Sequence, residues 1–375
     1  MGGATAAQLA CGPSPHQALR AYAFVANSKG STVAVADLAT FAVARQIRLD
    51  DQPSQVIAPA ARPSVYVLTP LSGSLHEIAV QQLKVQRNLR VGQTAIAMKL
   101  APDEDAIYVL LAQPKKLVRV SLDRFAIDWE LPLPISATDF DLGSYFEPGS
   151  QAPRQVGAVS YGAAGFAFFD PVARKLFPVI QLGGEVGAVR FGKELIVANL
   201  SGRSLSVYHT ILRKRIVELP LKNRPDHLCF NDDKGQLFVT GEGSDAVSVI
   251  YPFRLEVAET VLAGRQPGAM AVSSNPSYLF IANPTSGDVS ILNADHKVIG
   301  GVRVGEDPCF IVTTPNSDFA LVLNRKSGDM AVLRIGTLTG KRRHQGVPAS
   351  ALKSASLFTM IPVGSAPVSA AVRMI

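Results

Sequence analysis

The chain has 375 residues, of which 47% are hydrophobic and 18% charged, with a formal net charge of +7. That is too apolar for a disordered chain, and no run of 18 apolar residues is present to cross a membrane as a helix. Three cysteines exclude a disulfide framework.

Taken in chain order, one short apolar slot recurs eight times. Phe24-Val25-Ala26-Asn27 comes first, and weaker copies end at Thr69, Leu111 and Ser160. Ile196-Val197-Ala198-Asn199, Phe238-Val239-Thr240-Gly241, Phe280-Ile281-Ala282-Asn283 and Ala320-Leu321-Val322-Leu323-Asn324 follow. The steps are 42, 42, 49, 39, 42, 42 and 41 residues. A fixed period of this length signals a repeat architecture. The seventh repeat shows its content. Tyr278–Ala282 is a strand, and Asn283–Asp288 a turn. Val289-Ser290-Ile291 alternates as a second strand, Val298 to Val304 forms a third, and Phe310-Ile311-Val312 a fourth. Four short strands with a turn about every ten residues make one propeller blade. Eight copies predict an all-β, eight-bladed propeller of four-stranded antiparallel blades, with seven as the alternative. No segment has a useful helical period, although Ala349–Leu357 could form a turn or two. Residues 141–156, rich in Gly, Pro and Ser, read as an extra loop in the fourth repeat.

The turns repeat as well. Ser72-Gly73, Ser201-Gly202, Ser286-Gly287 and Ser327-Gly328 follow the slot, where glycine supplies a positive φ. Gly-x-x-Pro recurs at Gly264/Pro267, Gly305/Pro308 and Gly364/Pro367, with Pro53 and Pro225 in the same phase. Proline there suits the first residue of a strand. The first slot lacks a preceding inner strand, while Pro367–Arg373 has the inner-strand pattern with no repeat after it. The C-terminal strand is therefore predicted to close the ring beside residues 22–27.

These motifs resemble the YVTN family of β-propellers. Val33-Ala34-Val35-Ala36-Asp37, Val289-Ser290-Ile291-Leu292-Asn293 and Ile361-Pro362-Val363-Gly364-Ser365-Ala366-Pro367 match its other elements. The resemblance covers about residues 17–375 and implies one propeller domain after a stub at 1–16. Thr69-Pro70, Leu110-Leu111 and Ser160 depart from the family Asn. The resemblance implies a binding scaffold, with a propeller enzyme of lactonase or dehydrogenase-subunit type as the alternative, because fold does not settle function. It also implies export to the periplasm or outside the cell. Met1–Cys11 lacks the basic start and apolar core of a signal peptide, so the cytoplasm stays open as the alternative.

Chemistry-bearing residues are sparse. The six histidines are scattered, and no pair has metal-ligand spacing. No phosphate loop, nucleophile elbow or zinc signature is present, so no cofactor, metal or catalytic residue is predicted. Cys229 and Cys309 fall in inner strands as small hydrophobes, and Trp129 falls in an outer strand. Repeat phase places the Gly-x-x-Pro and Ser-Gly turns on one face. Loops on a rigid scaffold carry binding, which makes Asp51, Gln52, Arg224, Asp226, Arg265, Gln266, Glu306, Asp307, Arg325 and Lys326 the candidate binding face. Its mixed charge points to a protein or peptide partner for a monomeric propeller. The basic balance leaves an anionic polymer or surface open, with Lys341, Arg342 and Arg343 as the candidate patch. That patch lies in a long connection, Gly336–Leu357, read as a surface loop in preference to a docking element.

Overall fold

The computed structural model describes residues 20–147, 149–338 and 357–375. These residues form eight four-stranded antiparallel sheets, and the chain steps outward through each of seven of them. Blade 2 shows the order: Gln55–Ile57 inside, then Ser64–Thr69, Ser74–Ala79, and Lys84–Arg90 outside. The remaining inner strands of blades 3 to 8 are Thr94–Leu100, Asp139–Phe146, Val186–Phe191, His227–Phe230, Met270–Ser273 and Pro308–Thr313. Apart from two 3₁₀ turns, Gly162–Ala164 and Ile335–Thr337, the described residues contain no helix. None is long and apolar enough to cross a membrane.

Blade 1 is composite. Its inner strand is Pro367–Met374, paired with Ala21–Asn27 so that Tyr22 faces Arg373 and Phe24 faces Ala371. The ring therefore closes by the C-terminal strand, as the unpaired pattern at each end predicts. Each sequence repeat straddles two blades, because its last strand is the inner strand of the next.

The strands form for a reason visible in their burial. Ser64–Thr69 and Ser74–Ala79 are buried along their whole length. Both sheet faces pack against neighbouring blades, which favours apolar side chains such as Val65, Val67 and Leu68, and the buried polar exceptions are partnered, Glu77 by Arg87 and His76 by Asp50. Outer strands meet solvent, and Lys84–Arg90 alternates exposed with half-buried positions. The core accordingly lies between blades. Tyr66 and Leu68 of blade 2 pack with Ile107, Val109 and Val118 of blade 3, for example.

Inner strands are also linked around the axis by polar contacts. Cys309 Sγ donates to Pro367 O (3.3 Å), Val56 N donates to Ser369 Oγ (3.2 Å), and Met98 N donates to Gln55 Oε1 (2.6 Å). Lys99 Nζ reaches Asp141 (2.9 Å), and Thr313 Oγ1 donates to Val272 O (3.1 Å). Burial raises the pKa of Cys229 to about 12 and also raises that of Cys309, so both are protonated thiols in inner strands.

Blade 4 departs from the repeat. Residues 141–156 do not form the predicted loop. Asp139–Phe146 and Pro153–Ser160 pair from Asp139/Ser160 to Phe146/Pro153, leaving only a short tip. The alternation Phe140, Leu142 inward, with Asp139 and Asp141 beside them, is strand pattern hidden under a turn-rich composition. The outer strand of this blade is only Lys175–Leu176. In the other seven blades the outer pairing carries a register shift at the same place, as at Glu77/Ile78 and Ile291/Leu292. Such bulges increase twist locally.

Candidate functional site

The loop face is built by two glycine motifs that meet. The loop entering blade 8 carries Gly305, and a Cβ there would lie 2.5 Å from Asn324 Nδ2 of the same blade. That amide donates to Val304 O (3.3 Å) and to Asp329 (2.6 Å). Gly287 of the preceding blade has φ +68°, and a Cβ there would sit 2.7 Å from Gly305 O. The slot Asn, the Ser-Gly turn and the Gly-x-x-Pro turn are thus three parts of one contact. Asn27 repeats it against Gly364 and donates to Val363 O at 2.8 Å. Asn27, Asn283 and Asn324 are all fully buried, so the repeated Asn holds the loop face together from beneath.

The candidate binding residues all lie on this face, in loops that lead into inner strands or in the turns beside them, and they fall into sectors. Asp51 Oδ1 accepts from Gln52 N (2.7 Å) above blades 1 and 2. Arg224 Nε lies 2.9 Å from Asp226 Oδ1, with Glu185 and Glu242 at 3.9 and 4.0 Å, so carboxylates surround it. Gln266 N donates to Asp245 Oδ1 (3.0 Å), and Gln266 Oε1 accepts from Thr285 Oγ1 (2.6 Å); Arg265 beside it is exposed.

Glu306, Asp307, Arg325 and Lys326 do come together. They line two adjoining grooves of about 750 and 620 Å³ across blades 7, 8 and 1, which share Asp307 and Lys326. The grooves also take in Lys29, Gln46 and Arg303, which sequence reasoning missed. The signal was available: Lys29 stands two residues after Asn27, as Lys326 stands two after Asn324. Arg325 lies 4.0 Å from Asp307, whereas no ion pair among the described residues includes Lys29, Arg303 or Lys326. Four cations (Lys29, Arg303, Arg325, Lys326) thus face two carboxylates here, an excess that attracts anionic groups. Lys341, Arg342 and Arg343 lie outside the described residues.

Two further polar clusters were not anticipated. His76, buried in blade 2, has its Nε2 2.9 Å from Asp50 Oδ1 and 3.1 Å from Thr69 Oγ1. Both partners share one ring nitrogen and Thr69 is fully buried, so no proton path runs from hydroxyl through the ring to the acid. The cluster pins a loop to a blade. The second cluster spans the inner strands of blades 3 to 5. Asp139 accepts from Arg190 (2.5 Å) and Val189 N (3.0 Å), and Asp141 accepts from Lys99 (2.9 Å) and Phe191 N (2.8 Å). Each aspartate serves one cation and one backbone N–H of the neighbouring blade. Among the described residues no group of three or more His, Cys, Asp or Glu is placed to hold a metal ion.

These features define an eight-bladed β-propeller with a loop face stitched by Asn–Gly contacts and a cationic groove over three blades. Comparison with solved structures agrees on the fold. Dihydro-heme d1 dehydrogenase NirN, in complex with DHE, superposes with a TM-score of 0.72 at 14% identity, over 96% of this chain and 76% of that one. AztD from Citrobacter koseri, in its apo form, gives 0.65 at 12% identity over 94% and 98%. A candidate 6-phosphogluconolactonase from Bacteroides fragilis gives 0.56 at 15% identity over 96% and 100%. At these identities the likeness concerns the fold alone. No protein-family model and no curated protein matches the chain.

Proposed function

We propose that this protein is a non-catalytic binding propeller of the YVTN type, which holds an acidic segment of a protein partner in the loop-face grooves over blades 7, 8 and 1. The observation that carries this reading is the set Lys29, Arg303 and Lys326, which line adjoining grooves without a carboxylate partner. Arg224, by contrast, stands among carboxylates, with Asp226 at 2.9 Å. The mixed lining, with Gln46, Ser327 and backbone groups between the cations, suits an extended peptide better than a bare polyanion.

The test uses a labelled acidic peptide and a basic one of equal length as probes. The acidic peptide should bind, and its affinity should fall as salt rises. Lys29→Glu/Arg303→Glu/Lys326→Glu should weaken it by about tenfold or more while leaving the melting temperature in place. Equal binding of both peptides, or no effect of the triple variant, would overturn the reading. Export belongs to the same proposal, and fractionation of cells expressing the full-length gene product checks it: recovery in the cytoplasm alone would sink it.

A further inference from the structure

On the face opposite the grooves, a cleft of about 910 Å³ opens between blades 3 and 4. It sits where the chain breaks its own repeat: one wall includes the extended hairpin of blade 4, and the short outer strand of that blade begins beside it. Departures from a repeat rule are where function is expected. Blade 3 supplies Tyr108, Arg119, Arg124, Asp128 and Trp129; blade 4 supplies Tyr145, the segment Pro153–Gln155 and the turn 170–174.

Of the aspartates in the lining, Asp128 is ion-paired, while Asp103 and Asp170 accept hydrogen bonds from neutral donors. Asp128 takes Arg119 and Arg124, and Arg119 also pairs with Asp105 just below. Asp170 Oδ1 accepts Val172 N (2.9 Å) and Ala173 N (2.8 Å), and Asp103 accepts Gln155 Nε2 (2.7 Å). Of the four arginines only Arg174 takes part in no ion pair among the described residues, and Arg154 is held by a single half-exposed carboxylate, Glu147 at 3.1 Å. Beside them lie apolar surfaces: Pro153 and Val172, which is 77% exposed. A guanidinium fork fits a carboxylate or phosphate, and it loses less entropy than a lysine in doing so.

We propose that this cleft binds a small ligand with one oxyanion head and a flat apolar body. Arg154 and Arg174 hold the head, and Val172, Pro153 and the edge of Trp129 receive the body. The site is separate from the loop-face grooves and does not depend on them.

Trp129 is the chain's one tryptophan and lines the cleft, so its fluorescence reports the site directly. The intact protein is titrated with phenyl phosphate, benzoate and, as the uncharged control, phenol, with correction for probe absorbance. At least one anion should give a saturable change below about 10 mM, and phenol none over the same range. A stronger response to phenyl phosphate assigns the head as phosphate; a stronger response to benzoate assigns it as carboxylate. Arg154→Ala/Arg174→Ala should raise the Kd by about tenfold with an unchanged ligand-free emission spectrum. No saturable response to either anion, an equal response to phenol, or unchanged binding by the double variant would overturn the proposal. Isothermal titration of the same probes gives a second reading if the double variant alters the emission spectrum.

Discussion

At the scale of residues, the repeated motif is a steric agreement between an asparagine side chain and a glycine backbone that the sequence separates by about twenty positions. Gly305 is glycine because Asn324 occupies the space its Cβ would take, at 2.5 Å. Gly305→Ala is expected to cost about 1–3 kcal/mol as overpacking. Asn324→Ala removes two hydrogen bonds and should cost about 1–2 kcal/mol. The double variant should cost clearly less than the sum, since Asn324→Ala vacates the space that a Cβ at position 305 would enter; urea denaturation of the four proteins measures the coupling. Strict additivity would show that the contact is incidental. His76 belongs to this scale too. Burial holds its pKa below 6.5, outweighing the pull of Asp50. The unfolded chain then takes up the proton first, so this contribution is complete above about pH 6.5 and declines as the pH falls toward the folded-state value. Melting temperatures between about pH 7 and 5.5 should fall less steeply in His76→Gln than in the parent protein.

At the scale of elements, blade 4 separates composition from pattern. Gly143, Ser144, Pro148 and Gly149 read as loop, yet the period-two placement of Phe140 and Leu142 continues a strand that pairs over eight residues. Gly143 suits a strand here because a Cβ would meet the Phe191 ring at 2.6 Å. The hairpin matters through its carboxylates, which bridge to blade 5. Asp139→Ala removes the ion-pair partner of Arg190, which keeps only Val189 O and the more distant Asp141, and removes the acceptor of Val189 N. With the Arg190 side chain 29% exposed, solvent screening moderates the loss, and about 1–3 kcal/mol is expected. Hydrogen exchange should show faster opening of Val186–Phe191 than of blades 7 and 8; uniform exchange would contradict the bridging role.

At the scale of the whole molecule, stability rests on closure. The inner strand of blade 1 comes from the other end of the chain, and Val56 N donates to its Ser369 while Pro367 accepts from Cys309. It therefore joins three blades. Truncation after Gly364 should cost several kcal/mol, about the burial of one strand, or abolish soluble expression. A truncated chain melting at the parent temperature would refute this. Closing the ring also removes two sheet edges that would otherwise pair with other chains.

The sequence by itself determined the blade count, the strand order within a blade, the closing strand and the face on which the turns lie. All of these follow from local chemistry repeated in phase: apolar runs, turn glycines and strand-opening prolines. It also named Glu306, Asp307, Arg325 and Lys326, because loop positions can be counted from the repeat. Only the tertiary structure decided which of those residues meet, that Lys29 and Arg303 join them, and that Arg224 is neutralised by its neighbours. It alone produced the Asp139–Asp141 bridge and the cleft around Trp129. The reason is geometric. A period along the chain fixes angular position around the ring, but contact between blades depends on side chains from different repeats, whose pairing no single repeat encodes.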